Sequence, residues 1–348
     1  MYRRLVLAIL VGAATAAAPA FAADEVKIID TAELSGPGAP SGLNWQKGAD
    51  LAVQEINASG GILGRKISIT HIDNQSNAGV AKTVVAKAID EDPYVILGPI
   101  FSGDVMVTMA GVDQAEIPQI MGGEAAPLTQ QGYKYTFRTS LSQSAAMPKL
   151  AAYLQNEVKV KSLAVVYVNN DYGKGGMGVM LPELEKRGIK VLANISTEQG
   201  QLDFSSVAVA IQKSDAEAVF SYINEEESAR LLTELKKLGN KKPLFGETVL
   251  ISAKVIQLAG DAANGTRGHV GLTADAPNPL IKGFAEKYKK AYGFETDHNG
   301  IKGYYAVYLV KAITEKMGKF DRKLFAQTLR GASLTAKQYP GLLIDTRY

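Results

Sequence analysis

Along almost the whole chain, short runs rich in Val and Ile alternate with longer stretches in which apolar residues recur at helical spacing. The runs Val26–Thr31, Lys66–Ile72, Tyr94–Leu97, Gln119–Met121, Leu163–Val168, Lys190–Ile195, Ala218–Tyr222 and His269–Leu272 read as strands. Helical spacing holds between them, over Gln46–Ala58, Val80–Asp90, Ala145–Asn156, Met177–Arg187, Phe204–Lys213, Glu227–Leu238, Leu280–Tyr292 and Ile301–Met317. Two of these helices carry visible stops. Gly60 and Gly61 follow Asn57-Ala-Ser and can supply the left-handed residue that closes a helix, and Gly239 precedes Pro243 in the same way. Strands alternating with helices of this length predict an α/β fold, a parallel sheet covered by helices on both faces.

At 348 residues the chain exceeds the ~250–300 at which a single core stops growing, so two units are expected. The alternation restarts after an extended Tyr135–Arg138, which places a crossing at Arg138–Gln143 and a return at the Ala, Asp and Pro of Leu272–Pro277. The reading is two doubly wound lobes joined by a multi-strand hinge. Residues 23–141 and 273–340 would form the N-terminal lobe, and 142–272 together with 341–348 the C-terminal one. Ligands of open α/β sheets bind outside the carboxyl ends of the strands, here in the cleft between the lobes. Gly341–Tyr348 has a strand-like pattern and no polar tail, so a further segment is expected beyond it.

The N-terminus differs from the rest. Arg3 and Arg4 precede an uncharged run from Leu5 to Ala18, closed by Pro19-Ala-Phe-Ala22, the pattern of a signal peptide over residues 1–22. The run is shorter than the ~20 residues a membrane-spanning helix needs. A soluble periplasmic protein is expected. The absence of cysteine excludes both a lipid anchor and a disulfide. A formal charge of +3, from 38 basic and 35 acidic residues, implies no basic face for nucleic acid.

Catalytic constellations are scarce. His71, His269 and His298 lie far apart with no metal-ligand spacing, and there is no nucleophile elbow, P-loop or zinc-protease helix. No metal and no cofactor is implied. Gly173-Lys-Gly175-Gly-Met-Gly178 does satisfy the dinucleotide pattern, with Glu198 beyond the next strand. That site needs its first glycine in the turn directly after the strand, and here Asn169–Tyr172 intervene, with Asp171 bringing a like charge toward a phosphate. A glycine-rich helix start at the cleft edge is the plainer reading. Glu225, Glu226 and Glu227 read as acids favouring a helix N-terminus. Trp45, the single tryptophan, follows a Gly/Pro/Ser loop, a position that suits either core packing or a wall of the cleft.

Several strings in order carry a resemblance: AELSGPGAPSG, then Gln46-Lys-Gly48 through Asn57-Ala-Ser-Gly60-Gly61-Ile-Leu-Gly64, VILGPIFSG at 95–103, the Leu128-to-Thr139 run, Asn170-Asp171-Tyr172-Gly173 and Asp203-Phe204-Ser205. Together they resemble the leucine/isoleucine/valine-binding family of periplasmic binding proteins over nearly the whole chain. The resemblance implies a type I binding protein with three crossovers, closing on its ligand like a hinge. It implies that Ser102 bonds the ligand's carboxylate and that Tyr172 borders the pocket. The strand-end argument places both at the cleft independently. Where the amino-acid binders have an alanine and a threonine, this chain has Gly122, Gly123 and Glu124. Glu124 either turns away or recognises a donor on the ligand. The family's ammonium-binding glutamate falls at Thr248, one position from Glu247, and a pocket tyrosine falls near Asn224. The pocket is therefore expected to be more polar than one built for leucine.

The leading expectation is a receptor that delivers an amino acid, or a related small polar solute such as an amide or organic acid, to an ABC permease of the inner membrane. A periplasmic sensor or adaptor with the same cleft, and an exported nucleotide-dependent enzyme, are the alternatives.

Overall fold

The computed structural model describes residues 25–348. The expected signal peptide lies outside the described residues. The first lobe opens with β1 (Val26–Ala32), α1 (Ala39–Ala58), β2 (Ile67–Asp73), α2 (Ala78–Asp90), β3 (Val95–Leu97), α3 (Ser102–Gln114), β4 (Gln119–Met121) and β5 (Thr136–Arg138). Its five strands pair in parallel in the order β2-β1-β3-β4-β5. The second lobe follows with α4 (Gln143–Tyr153), β6 (Ser162–Val168), α5 (Asp171–Lys186), β7 (Lys190–Thr197), α6 (Ser205–Lys213), β8 (Ala218–Tyr222), α7 (Glu225–Lys237), β9 (Leu244–Glu247), α8 (Ala253–Ala259) and β10 (Arg267–His269). This sheet is also parallel, in the order β10-β9-β8-β6-β7. The chain then returns to the first lobe as α9 (Pro279–Tyr292), α10 (His298–Met317) and α11 (Arg322–Leu329), ending in the antiparallel pair β11 (Ser333–Leu334) and β12 (Thr346–Arg347).

Helices cover both faces of each sheet because the central strands are apolar on both sides: Val95–Leu97 and Ala218–Tyr222 are buried at every position. In the first lobe Ile28 and Leu97 pack toward α1 and α10, while Ile29 and Ile96 pack with Val85 of α2 and Val112 of α3. The second lobe divides in the same way between Val165 with Met180 of α5 and Val166 with Ile211 of α6.

Four strands lie outside the strand candidates: β11 has only two residues, and β12 falls within the strand-like stretch 341–348. β9 is short and begins directly after Pro243, and β5 showed only as an extended stretch. β10 begins and ends earlier than His269–Leu272. The assignment of 341–348 to the second lobe is corrected: β12 pairs with β11, and Leu342 and Leu343 are buried in the core of the first lobe. Their apolar side chains complete that core beside α10, so the last described segment stays where α10 and α11 lie.

The tightest helix contact in the first lobe is α1 on α10. A Cβ on Gly48 would overlap the carbonyl oxygen of Gly300, and one on Gly303 would overlap that of Trp45. Backbone cannot yield as a side chain can. Gly48→Ala is expected to destabilise the protein by about 3 kcal/mol, the upper end for overpacking, measured by urea denaturation. An unchanged midpoint would show that the helices separate freely.

Candidate functional site

In a parallel sheet each helix that follows a strand begins at the strand's carboxyl end. β3 feeds α3, β6 feeds α5 and β8 feeds α7, so three helix N-termini meet in the cleft, and α10 adds a fourth. Each brings the positive end of its dipole, and Asn170 caps α5 and Asp297 caps α10, whereas α7 has no side-chain cap. α3 has no side-chain cap, which leaves its first N–H groups available beside Ser102 and Gly103 in the cavity wall.

Both lobes line the cavity. Ser41, Ser102, Gly122 and Glu124 face Asn170, Tyr172, Asn224 and Glu225, with His298, Asn299 and Lys302 of α10 closing one side. The lobes touch across it: Ser41 Oγ donates to Glu225 Oε1 at 3.0 Å, and Gln199 Nε2 donates to the Ser76 carbonyl at 3.4 Å. The space open to the centre of a water-sized molecule is about 60 Å³, room for a small solute only.

Ser102 is buried at the start of α3, and its Oγ accepts the N–H groups of Glu124 and Ala125 at 3.2 and 3.1 Å. With both lone pairs used, the hydroxyl proton remains to be donated. Arg138 holds the same loop by donating to the carbonyls of Glu124 and Ala125 at 2.8 and 2.7 Å. Tyr172 stacks on Tyr222 with ring centres 4.2 Å apart, and its hydroxyl is buried without a hydrogen-bond partner. Gln143 Nε2 donates to the Tyr172 carbonyl and to the Tyr222 hydroxyl, tying the stack to α4. Asn224 lines the cavity and donates to Glu227 Oε1 at 3.1 Å.

Glu124 does turn into the cavity, where its Oε1 meets Lys302 Nζ at 2.7 Å. Burial pushes its carboxyl up, and the Lys302 ammonium pulls it back. Glu225 is also buried, and burial, then the charge of Asp297, pushes its carboxyl up to about 7. In the first turn of α3, also in the cavity wall, burial and the neighbouring Glu33 push Asp104 up to about 9. Glu33 in turn accepts the N–H groups of Ile100 and Phe101. His298 is driven well below its ordinary value by burial and by Lys302, so it faces the cavity as neutral imidazole.

Three expected site residues stand elsewhere. Trp45 is fully buried in the core of the first lobe and donates from Nε1 to Asp30 Oδ1 at 2.9 Å. α1 begins at Ala39, so Trp45 lies inside the helix and not in a loop. Gly123 has the Leu128 side chain where a Cβ would go and gives its carbonyl to Ser140 Oγ, outside the cavity wall. Glu247 ends β9 and is not among the residues lining the cavity, although its charge acts on Glu124 and Tyr172. Its Oε1 meets His269 Nδ1 at 2.7 Å, because β9 and β10 pair with those two residues in register.

The G-x-G-x-x-G glycines lie within the first turns of α5. A Cβ on Gly176 would collide with the Tyr222 ring. Of the motif's own glycines, Gly173 abuts the Val168 carbonyl and Gly175 abuts Gln143 and Ala125, so they serve close packing. Only Asn169 and Asn170 lie between β6 and α5, which leaves no glycine turn directly after the strand. The acids 225–227 do open α7; Glu226 pairs with Arg230, while Glu227 accepts the Gly200 N–H at 2.7 Å.

Ser41, His298, Asn299 and Lys302 were missed. For Lys302 a signal existed: it is the one charged residue in the stretch from Ile301 to Val310 of an otherwise apolar helix.

A family model described as periplasmic binding protein matches residues 25–346. The Leu/Ile/Val/Thr-binding protein of Salmonella typhimurium is 27% identical over 244 residues, covering 70% of this chain and 67% of that protein. Two solved structures share the fold. The branched-chain amino acid transporter substrate binding protein of Streptococcus pneumoniae, in complex with isoleucine, matches with TM-score 0.83 and 23% identity over 93% of this chain and 92% of that one. A solute binding protein of an ABC transporter from R. palustris, in complex with benzoate, matches with TM-score 0.83 and 20% identity over 93% and 91%. With a family match across the described chain and a cleft built between two parallel sheets, the protein is a solute-binding protein and not an enzyme: it belongs to the periplasmic binding protein family.

Proposed function

We propose that this protein is the periplasmic receptor of an ABC importer, capturing an amino acid or a related small polar solute by closure of its two lobes. The observation that carries this reading is the pair of unsatisfied donors in the cavity. Tyr172 Oη and Asn299 Nδ2, from opposite lobes, are buried without a partner. Buried polar groups are nearly always paired, so a solute is the missing partner. Its acceptor end, a carboxylate or carbonyl, meets the Ser102 proton, the Tyr172 hydroxyl and the N-terminus of α3. Its donor end meets Glu225. The names of the relatives, which bind amino acids, and the leader-like residues 1–22 support export and transport. The closed form then docks on the permease, whose identity follows from co-purification with the importer's membrane subunits.

The test is a thermal-shift screen of the mature protein against amino acids, amides and small organic acids. A solute at a hundred times its Kd adds about 2.7 kcal/mol of stability. Tyr172→Phe should weaken binding roughly 10- to 100-fold, the worth of one hydrogen bond to a charged group, with the unliganded melting temperature unchanged. No shift with any solute class would sink the proposal.

A further inference from the structure

Lys302 is 3% exposed, in the wall of the cavity, with Glu124 as its partner. Two buried charges are a poor source of stability, since apolar residues of similar volume pack as well without the desolvation cost. Another role must account for the pair. An ammonium has three N–H donors, and among the described residues Lys302 gives one of them to Glu124 Oε1. One turn earlier on α10, Asn299 lines the same cavity, and its Nδ2 is buried without a hydrogen-bond partner. Neutral His298 stands beside them. The residues that α10 contributes to the wall, His298, Asn299 and Lys302, are thus all polar and offer several donors to a ligand, while the apolar side chains of the wall, Ile100, Phe101 and Val249, come from other elements.

We propose that Lys302, positioned by Glu124, determines the specificity of the cleft by demanding a second oxygen acceptor on the solute. The selected class is then short molecules polar at both ends, such as amino acids with an amide or carboxylate side chain, or half-amides of dicarboxylic acids. A solute with a hydrocarbon end of the same shape leaves the ammonium and Asn299 unpaired, and sites built to hydrogen-bond a group reject analogues lacking it strongly. This inference rests on the cleft being the solute site proposed above.

The experiment uses matched pairs of nearly equal shape, asparagine against leucine and succinamic acid against 4-methylpentanoic acid, titrated calorimetrically into the mature protein. In the wild type, the polar member of at least one pair is expected to bind 100-fold tighter or better. Lys302→Met should bring the ratio to within tenfold, and Lys302→Arg should keep the polar preference. Because Lys302→Met strands Glu124, the variant Lys302→Met/Glu124→Gln is the control should the single variant not fold, with the same ratio expected. A purely structural lysine would change stability and leave the ratio alone. Wild-type binding of leucine as tight as asparagine, or a preference unchanged in the methionine variants, overturns the inference while the cleft remains the solute site. Failure of all four probes together with every solute of the screen overturns both readings.

Discussion

His71→Leu is expected to lower the stability of the protein by about 3–5 kcal/mol, the cost of breaking a buried ion pair by removing one partner. The imidazole lies between two carboxylates, with Nδ1 2.7 Å from Asp30 and Nε2 2.8 Å from Asp50. Asp30 is fully buried and also accepts from Trp45. These contacts fasten α1 to β1 and β2, and α1 carries Ser41 over the cleft. Burial works against the charge on His71, but its bonds to the two aspartates outweigh it and push the imidazolium up to about 10. The sign follows from the direction. A histidine raised above its ordinary 6.5 contributes stability that is fully present below that pH and is lost as pH rises through about 10. Urea denaturation from pH 6 to pH 10 should show this decline in the wild type and a flatter profile in the variant. An unchanged midpoint in His71→Leu would remove the cluster from the account of how α1 is held.

Glu225→Gln is expected to weaken the binding of an amino acid at pH 8 by roughly 30- to 150-fold, about 2–3 kcal/mol for truncating one side of a buried charged contact. Burial, then Asp297, places the Glu225 carboxyl near 7, so the cleft changes charge close to neutrality. An ammonium group binds the carboxylate and displaces its proton. Affinity for such a solute should therefore fall as pH drops through 7, approaching tenfold per unit below it, and the glutamine variant should lose that slope. Without ligand the sign reverses. The folded protein holds the proton to higher pH than the unfolded chain, so stability declines between the ordinary 4.5 and about 7. Calorimetric titrations from pH 5 to pH 8 check the affinity, and urea denaturation without ligand over the same range checks the stability. A flat wild-type profile with a cationic solute would take Glu225 out of the ligand's reach.

Strand runs such as Gln119–Met121 and Ala218–Tyr222 were readable to the residue, because burial on both faces leaves a mostly apolar string, broken only by Gln119 and Ser221. Ser102 and Tyr172 were legible as cleft residues for a related reason: a polar residue in the first turn of the helix that follows such a strand stands at the carboxyl end of the sheet whatever the rest of the fold does. Trp45 was misplaced because its setting depends on where α1 starts, and Pro40 in the first turn lets that helix begin at Ala39, before the periodic pattern is visible. Glu247 was misplaced because its partner, His269, reaches it only through the pairing of β9 with β10. Lys302 meets Glu124 across 178 positions of sequence, after the chain has built the second lobe and returned. By itself the sequence determined the α/β class, the two lobes and the strand ends where a ligand would sit, since each depends on local periodicity. Only the tertiary structure decided which charges share the cleft, because ion pairing between distant segments depends on the packing of α10 and leaves no local pattern in the chain.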